Sequence, residues 1–94
     1  MPAVARLGDP GTGHGCFPAR TNVGASGNVF VNGMGVHRQG DPWDSHCCGP
    51  VCHAGSLAGG SGTVFANGMP VGRIGDPVDC GSSVAAGSGN VFAG

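Results

Sequence analysis

The chain has 94 residues, 21 of them glycine and 7 proline, and a net charge of −1 carried by four Arg and five Asp with no Lys or Glu. That length allows one domain with a thin core, which needs disulfides, a metal or a partner to hold it; so little basic charge excludes a nucleic-acid binder. No segment is apolar enough to span a membrane as a helix or to read as a signal peptide, and Gly and Pro interrupt every helical window.

The elements that remain are short strands and turns. The first strand, Ala3 to Leu7, carries Arg6 and runs into the turn Gly8-Asp9-Pro10. A variable loop with His14 and Cys16 follows, then a Gly-Asn-Val-Phe strand from Gly27 to Phe30. The order then recurs with Arg38, Gly40-Asp41-Pro42, a long loop and Gly62 to Phe65, and again with Arg73, Gly75-Asp76-Pro77 and Gly89 to Phe92. Three copies of one unit therefore fill the chain as a single domain over 1–94, with repeats at about 3–30, 35–65 and 70–92.

Turn chemistry predicts the pairing. Asn32-Gly33 and Asn67-Gly68 lie between short apolar runs, the strongest local signal for a two-residue hairpin. Residues about 28–39 and 63–74 are expected as hairpins. The strand Ala3 to Leu7 has no predecessor and the strand Asn90 to Ala93 no successor, so the two are expected to pair and remove the exposed edges. The fold class is all-β, with little or no helix: a small pointed cone or prism of three hairpin repeats about a pseudo-threefold axis. The Gly-Asp-Pro aspartates are read as turn caps that accept backbone N–H groups, with a salt bridge to the preceding Arg open to them. Phe30, Phe65 and Phe92 are assigned to the core, while the Val-Phe strands with Met34 and Met69 are candidates for an apolar base.

Superimposing the copies on their aspartates exposes the metal-type residues. His14 and His46 each lie five residues beyond Asp9 and Asp41, and Cys80 lies four beyond Asp76. Equivalent positions meet at a threefold axis, so two imidazoles and one thiolate converge there. A closed tetrahedral zinc site needs a fourth ligand, and His53 in the longest loop is placed to return to it. The expected metal site is His14, His46, His53 and Cys80, holding one structural zinc near the apex. A rival site of Cys47 or Cys48, Cys52 and His53 stays open. His37, aligned with Ala5 and Gly72, is not expected to be a ligand. Five cysteines fit one thiolate ligand plus four others, free or paired: Cys48 with Cys52, or Cys16 with the middle loop.

At these residues the chain resembles the PAAR-repeat family. The resemblance spans essentially the whole sequence and rests on the Arg-x-Gly-Asp-Pro units, the Asn-Val-Phe-x-Asn-Gly-like units, and the three His and one Cys. The Pro-Ala-Ala-Arg tetrad itself is degenerate: Ala3-Val4-Ala5-Arg6, Gly35-Val36-His37-Arg38 and Pro70-Val71-Gly72-Arg73. The resemblance implies a zinc-tipped cone, monomeric alone, whose base caps a trimeric β-helical spike, VgrG or a phage central spike, one copy per trimer. It implies assembly in the bacterial cytoplasm, then a place at a phage tail tip or secretion by a type VI system, with only transient contact with the target membrane. It also implies a minimal tip with no attached effector.

Three rival functions are weaker. A zinc hydrolase needs an open coordination position and a general base, yet four protein ligands are available and the chain has no Glu. A secreted disulfide domain is allowed by the cysteines but lacks a signal peptide. A zinc-ribbon nucleic-acid binder lacks paired Cys-x-x-Cys knuckles and basic charge.

Overall fold

The computed structural model describes every residue, Met1–Gly94, and measures 37 × 24 × 21 Å. It is an all-β cone without helix: β1 (Phe30–Val31), β2 (Met34–Gly35), β3 (Pro42–Cys48), β4 (Val51–Ser56), β5 (Phe65–Ala66) and β6 (Met69–Pro70). Three antiparallel pairs form, β1 with β2, β3 with β4 and β5 with β6.

The two Asn-Gly hairpins are present. Asn32 and Asn67 both sit at φ 54°, and Gly33 and Gly68 at φ 77°, the double positive φ that a type I′ turn demands. The ladders are shorter than expected, Phe30↔Gly35 to Val31↔Met34 and Phe65↔Pro70 to Ala66↔Met69, because each second arm soon turns to a neighbouring repeat. The three arginine strands cross-pair as Arg6↔Val36, Arg38↔Val71 and Val4↔Arg73. They then close a ring: Ala5 N donates to Gly72 O, Gly72 N to His37 O and His37 N to Ala5 O, at 2.8, 2.8 and 3.0 Å. That ring marks the pseudo-threefold axis. The two orphan strands meet as predicted, through Ala3↔Phe92 and through Val4 N to Val91 O at 3.0 Å.

Each Gly-Asp-Pro does two jobs. Asp9, Asp41 and Asp76 donate N–H to the carbonyls of Arg6, Arg38 and Arg73, each at 3.0 Å. Gly8, Gly40 and Gly75 hold φ 87°, 92° and 90°, the third position of a type II turn, where a side chain is strained. Each Asp carboxylate accepts the backbone N–H of its Arg at 2.8–2.9 Å and pairs with the guanidinium at 2.9–3.0 Å. The hydrogen bond to Asp, more than the charge alone, raises the pKa of all three arginines. Cap and salt bridge are thus one motif.

A further device recurs three times, on the Ser that precedes each Gly-(Asn/Thr)-Val-Phe run. Ser26, Ser61 and Ser88 are buried, and each Oγ accepts the N–H groups two and three residues on. Ser26 and Ser88 also donate across the repeats to Asn67 and Asn32, each at 2.6 Å. Ser61 donates to the carbonyl of Gly94, which aligns with those asparagines.

Two apolar clusters stack beneath the apex. Val4, Val36, Ala66, Val71 and Ala93 form the lower one. Ala5, Trp43, Leu57, Val78 and Val84 form the upper one, with Cys80 packed against it. Trp43 is seated so closely that a Cβ on Gly11 would lie 2.8 Å from its ring.

Two expectations need correcting. Phe30, Phe65 and Phe92 are 60, 55 and 50% exposed rather than core; Ala66 and Ala93, one residue on, take the inward places, and Val31 packs there too. The long middle loop is a hairpin, β3–β4, registered His46↔His53, Cys47↔Cys52 and Cys48↔Val51. It was hidden because the pairing is irregular between Trp43 and His46, which destroys the period-two burial that a strand normally shows.

Candidate metal centre

The three residues aligned by superposition, His14, His46 and Cys80, converge with His53 of the longest loop. The ligand atoms of His14, His46, His53 and Cys80 all lie within 4.8 Å of one another. Three different chain segments bring them there. His14 opens a tight turn, exchanging hydrogen bonds with Phe17 at 3.1 and 2.9 Å, with Gly15 at φ 57°. His46 and His53 face each other across β3 and β4. Cys80 sits on the turn after Pro77, where Gly81 N donates to Val78 O at 3.0 Å.

The imidazoles aim their Nε2 atoms at one point: His14 to His46 is 3.2 Å, His14 to His53 is 3.1 Å and His46 to His53 is 2.7 Å. His46 Nδ1 lies 2.8 Å from the Pro18 carbonyl. That carbonyl only accepts, so the proton sits on Nδ1 and Nε2 of His46 presents a lone pair. Three mutually close nitrogens cannot all satisfy one another, whereas a cation satisfies all at once. Zinc–nitrogen bonds of about 2.0–2.1 Å in a tetrahedron separate the nitrogens by roughly 3.3 Å, close to the two His14 spacings of 3.2 and 3.1 Å, while the His46–His53 pair is shorter. Three imidazoles and a thiolate are a donor set that suits zinc. The cluster can therefore hold a metal ion, and its composition is compatible with zinc.

The surroundings support that reading. Burial lowers the pKa of His53, and the neighbouring His46 and His14 lower it further, which keeps its lone pair free. At Cys80 burial opposes ionisation, but hydrogen bonds from Arg20 and Ser82 and the Arg20 charge prevail and bring the thiol below its ordinary value. Phe17 lies against all three imidazoles, its ring centroid 4.9 Å from His14, 4.9 Å from His46 and 4.2 Å from His53.

The remaining cysteines are accounted for. Cys16 pairs with Cys48 and Cys47 with Cys52, leaving Cys80 free. Cys16 does reach the middle segment, but Cys52 bonds Cys47, not Cys48, because the register sets Cys47 opposite it. The rival site of Cys47 or Cys48, Cys52 and His53 loses its sulfurs to these bonds. His37 stays outside the cluster. It is fully buried on the axis, its Nδ1 donates to Gly24 O at 2.7 Å, and it meets Trp43 edge to face at 5.3 Å. His37 Nε2 and Trp43 Nε1 have no hydrogen-bond partner.

Sequence reasoning missed Phe17 and Arg20, which occur once and have no counterpart in the other repeats. Arg20 did carry a signal: it is the one arginine not followed by Gly-Asp-Pro.

A family model described as the PAAR motif matches residues 12–86. No curated protein matches the chain.

Proposed function

The chain belongs to the PAAR-motif family, whose members are structural spike-tip proteins of contractile injection systems rather than enzymes, and on that premise we propose that it caps and sharpens a trimeric β-helical spike. In this reading the wide end sits on VgrG or a phage central spike, one copy per trimer. His14, His46, His53 and Cys80 hold one structural zinc at the narrow end, which leads the tube through the target envelope. The free protein is a monomer. It is assembled in the bacterial cytoplasm and leaves it on the spike of a phage tail or a type VI system, touching the target membrane only in passing.

The observation that carries the proposal is the repeated exposure of Phe30, Phe65 and Phe92. These residues are chain neighbours of Val31, Ala66 and Ala93 in the lower apolar cluster, whereas Cys80 of the metal-type set packs against the upper one. They are equivalent under the threefold backbone ring, so one chain presents three similar apolar contacts, as a trimeric partner requires. Zinc at the narrow end supplies binding energy as folding energy where few apolar side chains fit.

The test is to mix the protein with candidate trimeric spikes and weigh the complexes by native mass spectrometry. One chain per trimer is expected, lost on converting Phe30, Phe65 and Phe92 together to Ser while the zinc content stays at one per chain. A wild-type monomer that ignores every spike tried would overturn the capping role; a purified protein without metal would overturn the zinc apex.

A further inference from the structure

We infer that Arg20 is the positioning residue of the metal centre, fixing the sulfur of Cys80 as the fourth ligand. This rests on the zinc reading above. The inference starts from what Arg20 lacks. The other three arginines each pair with an aspartate at 2.9–3.0 Å, whereas Arg20 pairs with none and is only 9% exposed. A buried cation without an anion is costly. Every arm of this guanidinium is in use: Nε donates to Asp44 O at 2.9 Å, Nη1 to Ser82 Oγ at 2.8 Å and Nη2 to Cys80 Sγ at 3.1 Å. Its plane lies over Trp43, 5.4 Å from the ring centroid. A metal-bound cysteine is a thiolate, so ligation itself supplies the missing anion.

The layout of covalent ties makes this contact necessary. Cys16–Cys48 joins the His14 turn to the tip of the hairpin, and Cys47–Cys52 locks the strands one residue beyond His46 and His53. All three imidazole segments are thereby linked. The Cys80 turn carries no disulfide. Its backbone is held by Asp79, which accepts from Ser56 N and Oγ at 3.1 Å each, but the sulfur has only Arg20 as a close charged partner. The same segment reaches the other ligands too: Phe17 faces the three imidazoles and Pro18 O accepts the hydrogen bond from His46 Nδ1. Residues 17–20 thus form an outer layer around the whole site, with Arg20 its charged member.

Outer-layer partners of metal ligands are worth roughly 10–100-fold in affinity. The experiment compares Co²⁺ and Zn²⁺ binding to the oxidised, full-length protein, wild type against Arg20→Met, with Arg38→Met as a control of equal charge loss. Arg20→Met should bind zinc about 10–100-fold more weakly. Its thiolate-to-cobalt charge-transfer band should move to lower energy, since a sulfur relieved of its hydrogen bond is a better electron donor. Arg38→Met should leave band and affinity unchanged. Should Arg20→Met not fold, Arg20→Lys keeps the charge but cannot reach three acceptors, and a smaller shift in the same direction is expected. An Arg20 variant with wild-type band and affinity would overturn the positioning role and leave the zinc reading standing. A wild-type protein that takes up neither metal would overturn both.

Discussion

The wide and narrow halves of the cone are built on different principles. The wide half repeats one solution three times: an Arg–Asp turn, a buried Ser, an inward aliphatic residue and a share in the axial ring. The narrow half keeps only one repeated feature, the metal-type residue after each Gly-Asp-Pro turn, His14, His46 and Cys80. It has one Trp, one His-bearing hairpin, two disulfides and one free Cys. The difference follows from geometry. Where the section is broad, three equivalent strands enclose enough apolar volume to hold together. Beyond the upper cluster of Trp43, Leu57, Val78 and Val84, around the four metal-type side chains, cross-links take the place of packing.

Removing metal is the strongest test of that division. Chelation of the zinc-loaded protein should cost on the order of 10 kcal/mol of stability, read by calorimetry. Hydrogen exchange should rise first around His14, His46, His53 and Cys80, while the ring of Ala5, His37 and Gly72 stays protected; uniform deprotection would erase the distinction between the halves. Next in size is loss of one covalent tie. Replacing Cys16 and Cys48 by Ser opens a link spanning 32 residues and should cost about 4 kcal/mol, with zinc bound more weakly. In the wide half, Asp41→Ala removes one cap and one ion pair together. It should cost about 1–3 kcal/mol in denaturant unfolding and leave zinc content unchanged. A loss of zinc there would show the halves to be coupled.

His37 lies between them. Burial lowers its pKa below the ordinary 6.5, outweighing the Gly24 hydrogen bond. The unfolded chain therefore binds the proton more readily. The stability that neutral His37 contributes is complete above pH 6.5 and drains away as pH falls from there toward its folded-state pKa. A His37→Asn variant should show a flatter dependence of melting temperature on pH in that window. The smallest effect on stability is expected at Phe30, Phe65 and Phe92. Each is at least half exposed, so each Ser substitution should fall within about 0.5 kcal/mol in melting experiments.

The wide half was legible because its signals are local. Gly-Asp-Pro, Asn-Gly and the arginine offset act within a few residues, and their threefold recurrence turned weak turn preferences into a topology, including the Ala3↔Phe92 closure. The same recurrence carried His14, His46 and Cys80 to one place. Which face of a Val-Phe strand turns inward is not local, because strands two residues long alternate too briefly to declare a side. The phenylalanines were misassigned for that reason. Cysteine pairing was equally illegible: it depends on the register of a hairpin whose irregularity leaves no periodic trace.

The sequence by itself thus determined the repeat, the turns, the closure and the set of metal-type residues, since each depends on backbone preferences or on counting between copies. Only the tertiary structure decided the disulfide partners, the outward phenylalanines, and the enclosure of the site by Phe17 and Arg20. Those features join segments far apart in the chain, such as Arg20 and Cys80 at 3.1 Å. No local preference encodes such a contact; it exists only once packing has brought the segments together.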